Sequence, residues 1–252
     1  MAEGDTILRL ARRLEAALVG APVAASAPNP RGRAAGVERL DGRRLDRAEA
    51  HGKHLLLRFG DLVLHSHLGM SGSWHLYRRG ERWRKPRSSA WAARAGEGQE
   101  AVQFGGPTLR LIAADRVHLD PQLARLGPDV LAPELDLEAV LAGLRRQPDR
   151  ELGDALLDQA VVAGIGNIYK SEACFAAGVD PWRRVGDLST AELAAVLTAA
   201  RELMLAAVAS GRQPHAIYRR RGPCVRCGGG PVRSRGQGDA NRTTYWCPNC
   251  QR

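Results

Sequence analysis

The sequence contains few cysteines, few lysines and few aromatic residues. Its 252 residues include five cysteines and three lysines, and Phe, Trp and Tyr together make up 5%. So few cysteines, after a start without an apolar secretory segment, argue against a disulfide-rich secreted protein. No stretch approaches a transmembrane span, which favours a soluble protein. The 44% of hydrophobic residues are enough to build the core of one large domain or of two smaller ones.

Four of the five cysteines lie in two tight pairs near the end of the chain. Cys224-x-x-Cys227 and Cys247-x-x-Cys250 are separated by nineteen residues. Two such pairs can supply four thiolates to one structural Zn²⁺ ion and leave no open position for catalysis. Two disulfides are the less favoured alternative, because no secretory segment is evident and Cys174 would stay unpaired. The spacing therefore predicts a cytoplasmic protein with one structural zinc ion.

The region around these cysteines is strongly basic. Residues 212–252 contain nine arginines against one acid, Asp239, and the whole chain has a net charge of +10 and a pI near 10.1. Clustered cations favour binding to a polyanion, because binding releases the counterions of the polyanion. The charge favours a nucleic acid as the partner, although a solvated basic face without a partner would have the same composition.

Hydrophobic periodicity changes from helix to strand and back to helix along the chain. An amphipathic helix with Ile7, Leu10, Leu14 and Leu18 on one face opens the sequence. Short apolar runs then predict the strands of a sandwich or barrel. These runs cover residues 55–59, 62–67, 74–77, 102–104 and 109–112.

A proline-containing segment at residues 120–133 separates the strands from predicted helices at 137–144, 152–162 and 168–177. Ser189 and Glu192 form a capping box that opens a longer helix, predicted to run to Ala209. The glycine-flanked turn at residues 164–170 leads into a helix, where backbone N–H groups could approach a phosphate. A plain helix hairpin also needs such glycines.

Five motifs in order resemble the formamidopyrimidine-DNA glycosylase and endonuclease VIII family, also called Fpg/Nei. The resemblance covers essentially the whole chain and is nearer to the endonuclease VIII branch. It rests on Glu3-Gly4, Gly-Lys-His-Leu-Leu at 52–56, His-Leu-Gly-Met-Ser-Gly at 67–72, Asp158-Gln159 leading into Gly-Ile-Gly-Asn-Ile-Tyr at 164–169, and Asn-Arg-Thr-Thr-Tyr-Trp-Cys-Pro-Asn-Cys-Gln at 241–251.

The resemblance implies an α+β multidomain protein. We expect an N-terminal β-sandwich catalytic domain with a leading helix at 1–120, a linker at 121–135, a helix-two-turn-helix domain at 136–222 and a β-hairpin zinc finger at 223–252. The implied partner is double-stranded DNA with damaged bases or abasic sites, bound in the cleft between the domains. We further expect a monomer with no membrane partner, in the cytoplasm of a bacterium and associated with its nucleoid.

The resemblance also implies a bifunctional DNA glycosylase and abasic-site lyase. In this family an N-terminal amine attacks C1′ of the damaged nucleotide and forms an imine, which here assigns Ala2 as nucleophile, Glu3 as acid and Lys53 as a second catalytic amine. An α-amine suits this step because its pKa is about 7.7–8.0. Most members begin Met-Pro-Glu, whereas this chain has Ala2, so its amine becomes available only if Met1 is removed.

The alternative that this departure leaves open is a lesion-binding protein without the chemistry. Alanine at this position is then either a natural or an engineered replacement of the family's proline. A zinc-ribbon RNA-binding or transcription factor would also account for the charge and the cysteines. It would leave Glu3, Lys53 and the turn at Asn167 without a role.

Three further residues match DNA-binding positions of the family. Asn167 and Arg242 correspond to phosphate clamps, and Met70 corresponds to an apolar wedge that fills the space of the extruded base, although a lone methionine on a strand usually packs in a core. The family's other wedge residues, an Arg and a Phe, have no convincing match between Arg110 and His118. The short connection from residue 210 to Cys224 leaves little room for a lid over an oxidised purine, which favours oxidised pyrimidines.

Other polar and aromatic residues have simpler interpretations. His65 and His67 lie on the same side of a predicted strand, but without a third ligand they are a weak candidate for a metal pair. Cys174 is predicted to be a small buried residue of its helix. Trp83 and Trp91 lie in a stretch rich in Arg, Lys and Ser, where either base stacking or a flexible loop could explain them.

Overall fold

The computed structural model describes residues 2–20, 22–96 and 98–252, which form two compact units. The N-terminal unit contains Ala2 and Thr6–Ala124, and the C-terminal unit contains Glu3–Asp5 and Arg125–Arg252. The first helix, α1 (Gly4–Leu18), begins directly after Glu3. The predicted order of a helix, strands, further helices and a final hairpin is confirmed.

The N-terminal unit is built from two four-stranded antiparallel sheets. The strands are β1 (Ala24–Ser26), β2 (Arg47–His51), β3 (His54–Phe59), β4 (Leu62–His67), β5 (Ser73–Arg78), β6 (Ala90–Ala95), β7 (Gln99–Phe104) and β8 (Thr108–Ala113). The first sheet has the order β1-β6-β7-β5, and the second has the order β2-β3-β4-β8. A short helix, α2 (Pro30–Ala34), lies between β1 and β2.

Two-residue loops fix the register of the second sheet. Gly52-Lys53 joins β2 to β3, and Gly60-Asp61 joins β3 to β4. Gly52 and Gly60 have φ values of 55° and 61°, the left-handed conformation that such tight hairpin loops require. The first of these loops therefore places Lys53 at the tip of a hairpin.

The core of the N-terminal unit takes residues from both sheets and from helix α1. Leu55 and Leu57 of β3, Trp74 of β5 and Ala101 of β7 belong to the same buried cluster. The predicted apolar face of α1 is confirmed, because Ile7, Leu10, Leu14 and Leu18 are all buried there. The predicted β-sandwich is thus confirmed, with its core between the two sheets.

The C-terminal unit contains four helices and a hairpin. They are α3 (Leu137–Arg145), α4 (Leu152–Ala155), α5 (Asn167–Ala177), α6 (Thr190–Ser210), β9 (Arg233–Gln237) and β10 (Arg242–Trp246). The capping box at Ser189 and Glu192 is confirmed as the start of α6. The helix predicted at 152–162 is wrong beyond Ala155. There the Asp158 carboxylate accepts a hydrogen bond from the Ala160 N–H (3.0 Å), a local turn that competes with helix formation.

Three strands were not predicted, because their sequences contain few of the β-branched and large apolar residues that mark strands. They are β1, β2 and β6, which read AAS, RAEAH and AWAARA, and their apolar positions are mostly alanine, a residue that is depleted in strands. Helix α6 also shows that the expectation of no membrane-length segment was too strict. By length and composition it could cross a bilayer, a property that core helices of soluble proteins share. Its side chains Leu193, Val196, Leu197, Ala200 and Met204 are buried within the protein.

The two-sheet core predicts a large difference between two leucine truncations. Leu57 is completely buried, whereas Leu119 is 64% exposed. Leu57→Ala should lower the free energy of unfolding by about 2–5 kcal/mol through lost burial and a residual cavity. Leu119→Ala should change it by less than about 0.5 kcal/mol. Thermal unfolding of both variants checks this, and equal shifts in Tm would contradict the assigned core.

Candidate functional site

The carboxylate of Glu3 is bound at the N-terminus of helix α5. It is fully buried and accepts hydrogen bonds from the backbone N–H groups of Gly166 (3.0 Å), Ile168 (2.9 Å) and Tyr169 (3.4 Å). A carboxylate is favoured there by the helix dipole and by the N–H groups of the first helical turn. The prediction that these N–H groups could contact a phosphate is therefore wrong, since they bind Glu3.

The glycines of this turn are explained by the closeness of the N-terminal segment. A Cβ atom on Gly166 would lie 2.3 Å from Cδ of Glu3. Gly164 has a φ of 107°, and its carbonyl accepts a hydrogen bond from the Gly4 N–H (3.0 Å). The Gly-Ile-Gly sequence thus makes room for Glu3 and Gly4 on the helical unit.

Asn167 contacts the residue next to Arg242, where helix α5 packs against the C-terminal hairpin. The Asn167 Nδ2 atom donates to the carbonyl of Thr243 (2.7 Å), the residue that follows Arg242. Asn167 Oδ1 is buried and has no hydrogen-bond partner. Arg242 is exposed and follows the β9–β10 turn, in which Asn241 has a φ of 49°. The two predicted phosphate-binding residues therefore lie in the same part of the C-terminal unit.

A buried polar network under this hairpin includes residues that the sequence analysis missed. Lys170 Nζ donates to Thr244 Oγ1 (2.6 Å), which donates to Gln237 Oε1 (2.6 Å). Burial, and next the Arg242 charge, lower the pKa of Lys170 to about 8, although Cys174, Asp154 and Glu3 act in the opposite direction. The available sequence signal was a single lysine in a predicted helix that is rich in apolar residues.

Glu172 is a second buried acid that the sequence analysis did not single out. Its carboxylate accepts hydrogen bonds from the backbone N–H groups of Ala216 (3.1 Å), Ile217 (2.9 Å) and Tyr218 (2.8 Å). These residues lie in the connection between α6 and the first cysteine pair. Glu172 thus fixes the path of the chain into the hairpin region.

The four predicted metal ligands come together in the C-terminal unit. The Sγ atoms of Cys224, Cys227, Cys247 and Cys250 all lie within 4.8 Å of one another, and none of the four is in a disulfide. Burial raises the pKa of Cys224, but hydrogen bonds from the backbone N–H groups of Cys227 and Arg226, together with the other sulfur atoms, have the larger combined effect and lower the pKa to about 7. Four converging cysteine sulfur atoms are a ligand set that can hold a metal ion.

Lys53 and Met70 lie at the same end of the second sheet in the N-terminal unit. His54 of β3 pairs with His67 of β4, so the loop before β3 and the turn after β4 are neighbours. Met70 is 74% exposed, unlike a methionine that packs in a core. Ala2 is partly buried and packs against the main hydrophobic cluster of this unit.

Three histidines form a neutral cluster beside these two turns. His54 Nδ1 and His65 Nε2 are 2.8 Å apart, and the rings of His54 and His67 are 4.7 Å apart. Burial, followed by the nearby positive groups, lowers the pKa of His54 to about 3 and that of His65 to about 4. Arg110 donates to His65 (3.3 Å). In the part of the chain that the structure describes, only the four cysteines form a group of three or more potential metal ligands.

Trp83 and Cys174 are both buried. Trp83 packs in a core with Tyr77 and Phe104, so the interpretations of base stacking and of a flexible loop are both wrong for this residue. Trp91 lies under the guanidinium of Arg31, 5.2 Å from its ring centroid. Cys174 is fully buried, as predicted, and burial raises the pKa of its thiol to about 12.

Family comparisons match both units of the chain. The family model of the formamidopyrimidine-DNA glycosylase N-terminal domain matches residues 1–107. The family model of the formamidopyrimidine-DNA glycosylase H2TH domain matches residues 126–217. Together they cover more than half of the sequence.

Curated proteins are similar over the whole chain. A protein named "Probable endonuclease 8 2" from Streptomyces coelicolor is 40% identical, with all of this chain and 94% of the relative covered. A protein named "DNA-(apurinic or apyrimidinic site) lyase Nei2" from Mycolicibacterium smegmatis is 34% identical, with coverage of 100% and 99%. A solved Lactococcus lactis Fpg, in complex with DNA containing an abasic site, shares the fold at a TM-score of 0.84, 23% identity and 99% coverage of both chains.

The buried carboxylate of Glu172 gives a stability prediction. Glu172→Gln replaces one acceptor oxygen with an NH₂ group that faces backbone N–H donors. The free energy of unfolding should fall by about 1.5–3 kcal/mol. The matched change at the exposed Glu202, Glu202→Gln, should shift it by less than about 0.5 kcal/mol. Urea unfolding of both variants measures the difference, and a neutral Glu172→Gln would show that these hydrogen bonds contribute little.

Proposed function

Because the chain belongs to the formamidopyrimidine-DNA glycosylase family, we propose that it is a base-excision-repair DNA glycosylase with abasic-site lyase activity. The observation that carries the proposal is the position of Glu3 on the N-terminus of α5. These contacts hold a carboxyl group in a defined place directly after the residue that would carry the terminal amine, where it can act in acid–base catalysis. A plain surface acid near a chain terminus would have no such contacts.

The nucleophile in this proposal is the amine of Ala2 once Met1 has been removed. Met1 itself lies outside the described residues. The amine lone pair forms a bond to C1′ as the bond from C1′ to the base breaks, and the nitrogen loses a proton. The C1′–O4′ bond of the sugar then opens with a proton delivered to O4′, and the imine that results allows elimination of the phosphate. A primary amine forms an imine in this step, where the secondary amine of the usual proline forms an iminium ion. Glu3, the residue after Ala2, is held in place by its hydrogen bonds to α5. This restricts the positions that the Ala2 nitrogen can take.

Glu3 is the proposed acid, and Lys53 the second catalytic amine. Glu3 would protonate the sugar ring oxygen as the base departs and would move protons during elimination. Lys53 stands at the tip of the β2–β3 hairpin, where its charge can attract the lesion phosphate and disfavour protonation of a neighbouring amine.

The DNA backbone would be held by Asn167 and Arg242. Phosphate oxygens accept hydrogen bonds, so the Asn167 Nδ2 amide, which already donates to the Thr243 carbonyl, and the exposed, positively charged Arg242 side chain are the groups that would contact the backbone. Met70, exposed at the tip of its turn, would fill the space that the extruded nucleotide vacates. Double-stranded DNA with a damaged base or an abasic site is therefore the proposed substrate, bound by a monomer in the bacterial cytoplasm, close to the nucleoid.

The metal held by the four cysteines is proposed to be a single structural Zn²⁺ ion. A set of four thiolates closes a tetrahedral shell, so the ion has no open position for substrate. It would join the two cysteine pairs on either side of the β9–β10 hairpin and so stabilise the strand that carries Arg242. The proposed domain boundaries also remain those of the sequence analysis, with a finger at 223–252.

Oxidised pyrimidines are the proposed damaged bases. The connection between α6 and Cys224 is short, and its middle is held by Glu172 through three backbone N–H groups. A segment fixed in this way does not provide a long lid over an oxidised purine.

Borohydride trapping on abasic-site DNA tests the nucleophile. The protein should form a covalent adduct that peptide mapping places at residue 2, because reduction of the imine makes the C–N bond permanent. Glu3→Gln should slow the reaction by about 10²-fold or more, since the proton donor is lost.

Protein acetylated at its N-terminus is the control, and it should give no adduct. An adduct at Lys53 would transfer the nucleophilic role from Ala2. Tight binding to abasic-site DNA without any adduct would support the lesion-binding alternative instead.

Metal analysis tests the zinc proposal. The purified protein should contain about one zinc ion per chain, and Cys227→Ser should lose the metal and weaken DNA binding because the hairpin is no longer held. Cys174→Ala is the matched control, and this variant should keep both its zinc content and its affinity for DNA. Zinc present in equal amounts in Cys227→Ser would contradict the ligand set.

A further inference from the structure

A second group of positive charges lies in the N-terminal unit, far in sequence from Lys53 and Arg242. Residues 78–87 contain six basic residues and a single acid, Glu81. All six basic side chains are exposed. We call them the basic strip, which consists of Arg78, Arg79, Arg82, Arg84, Lys85 and Arg87.

The basic strip is held in a fixed conformation by the one aromatic residue within it. Trp83 is buried against Tyr77 and Phe104, and its Nε1–H donates to Glu100 (2.8 Å). The Arg84 backbone N–H donates to the Tyr77 hydroxyl (3.1 Å), and the Arg87 guanidinium lies 4.2 Å from the Trp83 ring centroid. The charges are thus displayed on an ordered segment.

The segment runs back along β5 towards the turn that carries Met70. β5 is an edge strand of its sheet, and the basic strip begins at its last residue, Arg78. Lys85 Nζ donates to the hydroxyl of Ser73 (3.2 Å), the first residue of β5 and only three positions after Met70. One end of the basic strip is therefore continuous with the surface proposed to face the lesion.

The length of the basic strip matches a DNA backbone. Because the basic strip starts at the last residue of β5 and Lys85 contacts its first residue, the strip extends over the length of this six-residue strand, about 20 Å at about 3.3 Å per residue. Successive phosphates of one DNA strand are spaced by about 3.4 Å along the helix axis, so the same length covers about six phosphates. In the described residues, none of the six cations forms an ion pair with a carboxylate. Their mutual repulsion is relieved when a polyanion binds.

We infer that the basic strip binds the phosphate backbone of the duplex that flanks the lesion. This contact would be independent of sequence and of damage, and would supply affinity for ordinary DNA during the search for a lesion. The inference rests on the proposed function only in taking DNA as the partner.

The salt dependence of DNA binding tests this inference. The full-length variant R79Q/R82Q/R84Q and the unmodified protein should be compared on an undamaged 30-base-pair duplex by fluorescence anisotropy. The slope of log K against log [KCl] is negative, and each lost phosphate contact lowers its absolute value by about 0.9, so we expect that value to decrease by about two to three. The charge-conserving variant R79K/R82K/R84K should retain the slope of the unmodified protein.

A matched variant distinguishes the effect of losing local phosphate contacts from the effect of lowering the net charge of the protein. R12Q/R39Q/R44Q removes the same charge from exposed arginines on other elements of the N-terminal unit, and the absolute value of its slope should fall by less than one. An unchanged slope in R79Q/R82Q/R84Q, or equal decreases in both Gln variants, would overturn the inference. Because undamaged DNA requires no chemistry, the result does not depend on whether the chain cleaves abasic sites.

Discussion

The buried carboxylate of Glu3 on helix α5 is the constraint on which the rest of the candidate site depends. An ionised side chain inside a protein is strongly disfavoured unless hydrogen bonds replace its hydration. Here the N–H groups of Gly166, Ile168 and Tyr169 provide them. This interaction requires glycine at position 166 and occupies a helix terminus that would otherwise attract an anion. It also fixes the start of the chain to within one residue of the proposed nucleophile, Ala2.

The hairpin that carries Arg242 is positioned by polar contacts at its base as well as by its cysteines. Lys170 and Thr244 are fully buried and hydrogen-bonded to each other, and Gln237 extends the network to Glu151 and to the Pro181 carbonyl. Side-chain networks of this kind define one geometry, because every alternative leaves a buried polar group unpaired. Helix α5 therefore organises the C-terminal unit, with the Glu3 carboxylate at one end and the hairpin along its side.

The strands and helices with clear periodicity were predictable, and so were the cysteine pairs. Strands of mixed polarity, such as β2 with the sequence RAEAH, were not, because they become strands only by pairing with a neighbour. The helix predicted at 152–162 ended early, since Asp158 bonds to the backbone locally. Trp83 was misinterpreted for a related reason. Its charged neighbours in sequence suggested a surface position, whereas its neighbours in space are Tyr77, Phe104 and Glu100.

The sequence by itself determined the metal-binding group, the basic character, the order of strands and helices, and the family resemblance. Each of these depends on residue type or on spacing over a few positions. Only the tertiary structure decided what Glu3, Glu172 and Lys170 contact, because their partners are distant in sequence. Glu3 bonds to residues more than 160 positions away, and Lys170 to one 74 positions away. Burial decides which hydrogen-bond partners such groups must have, and burial is a property of the packed chain.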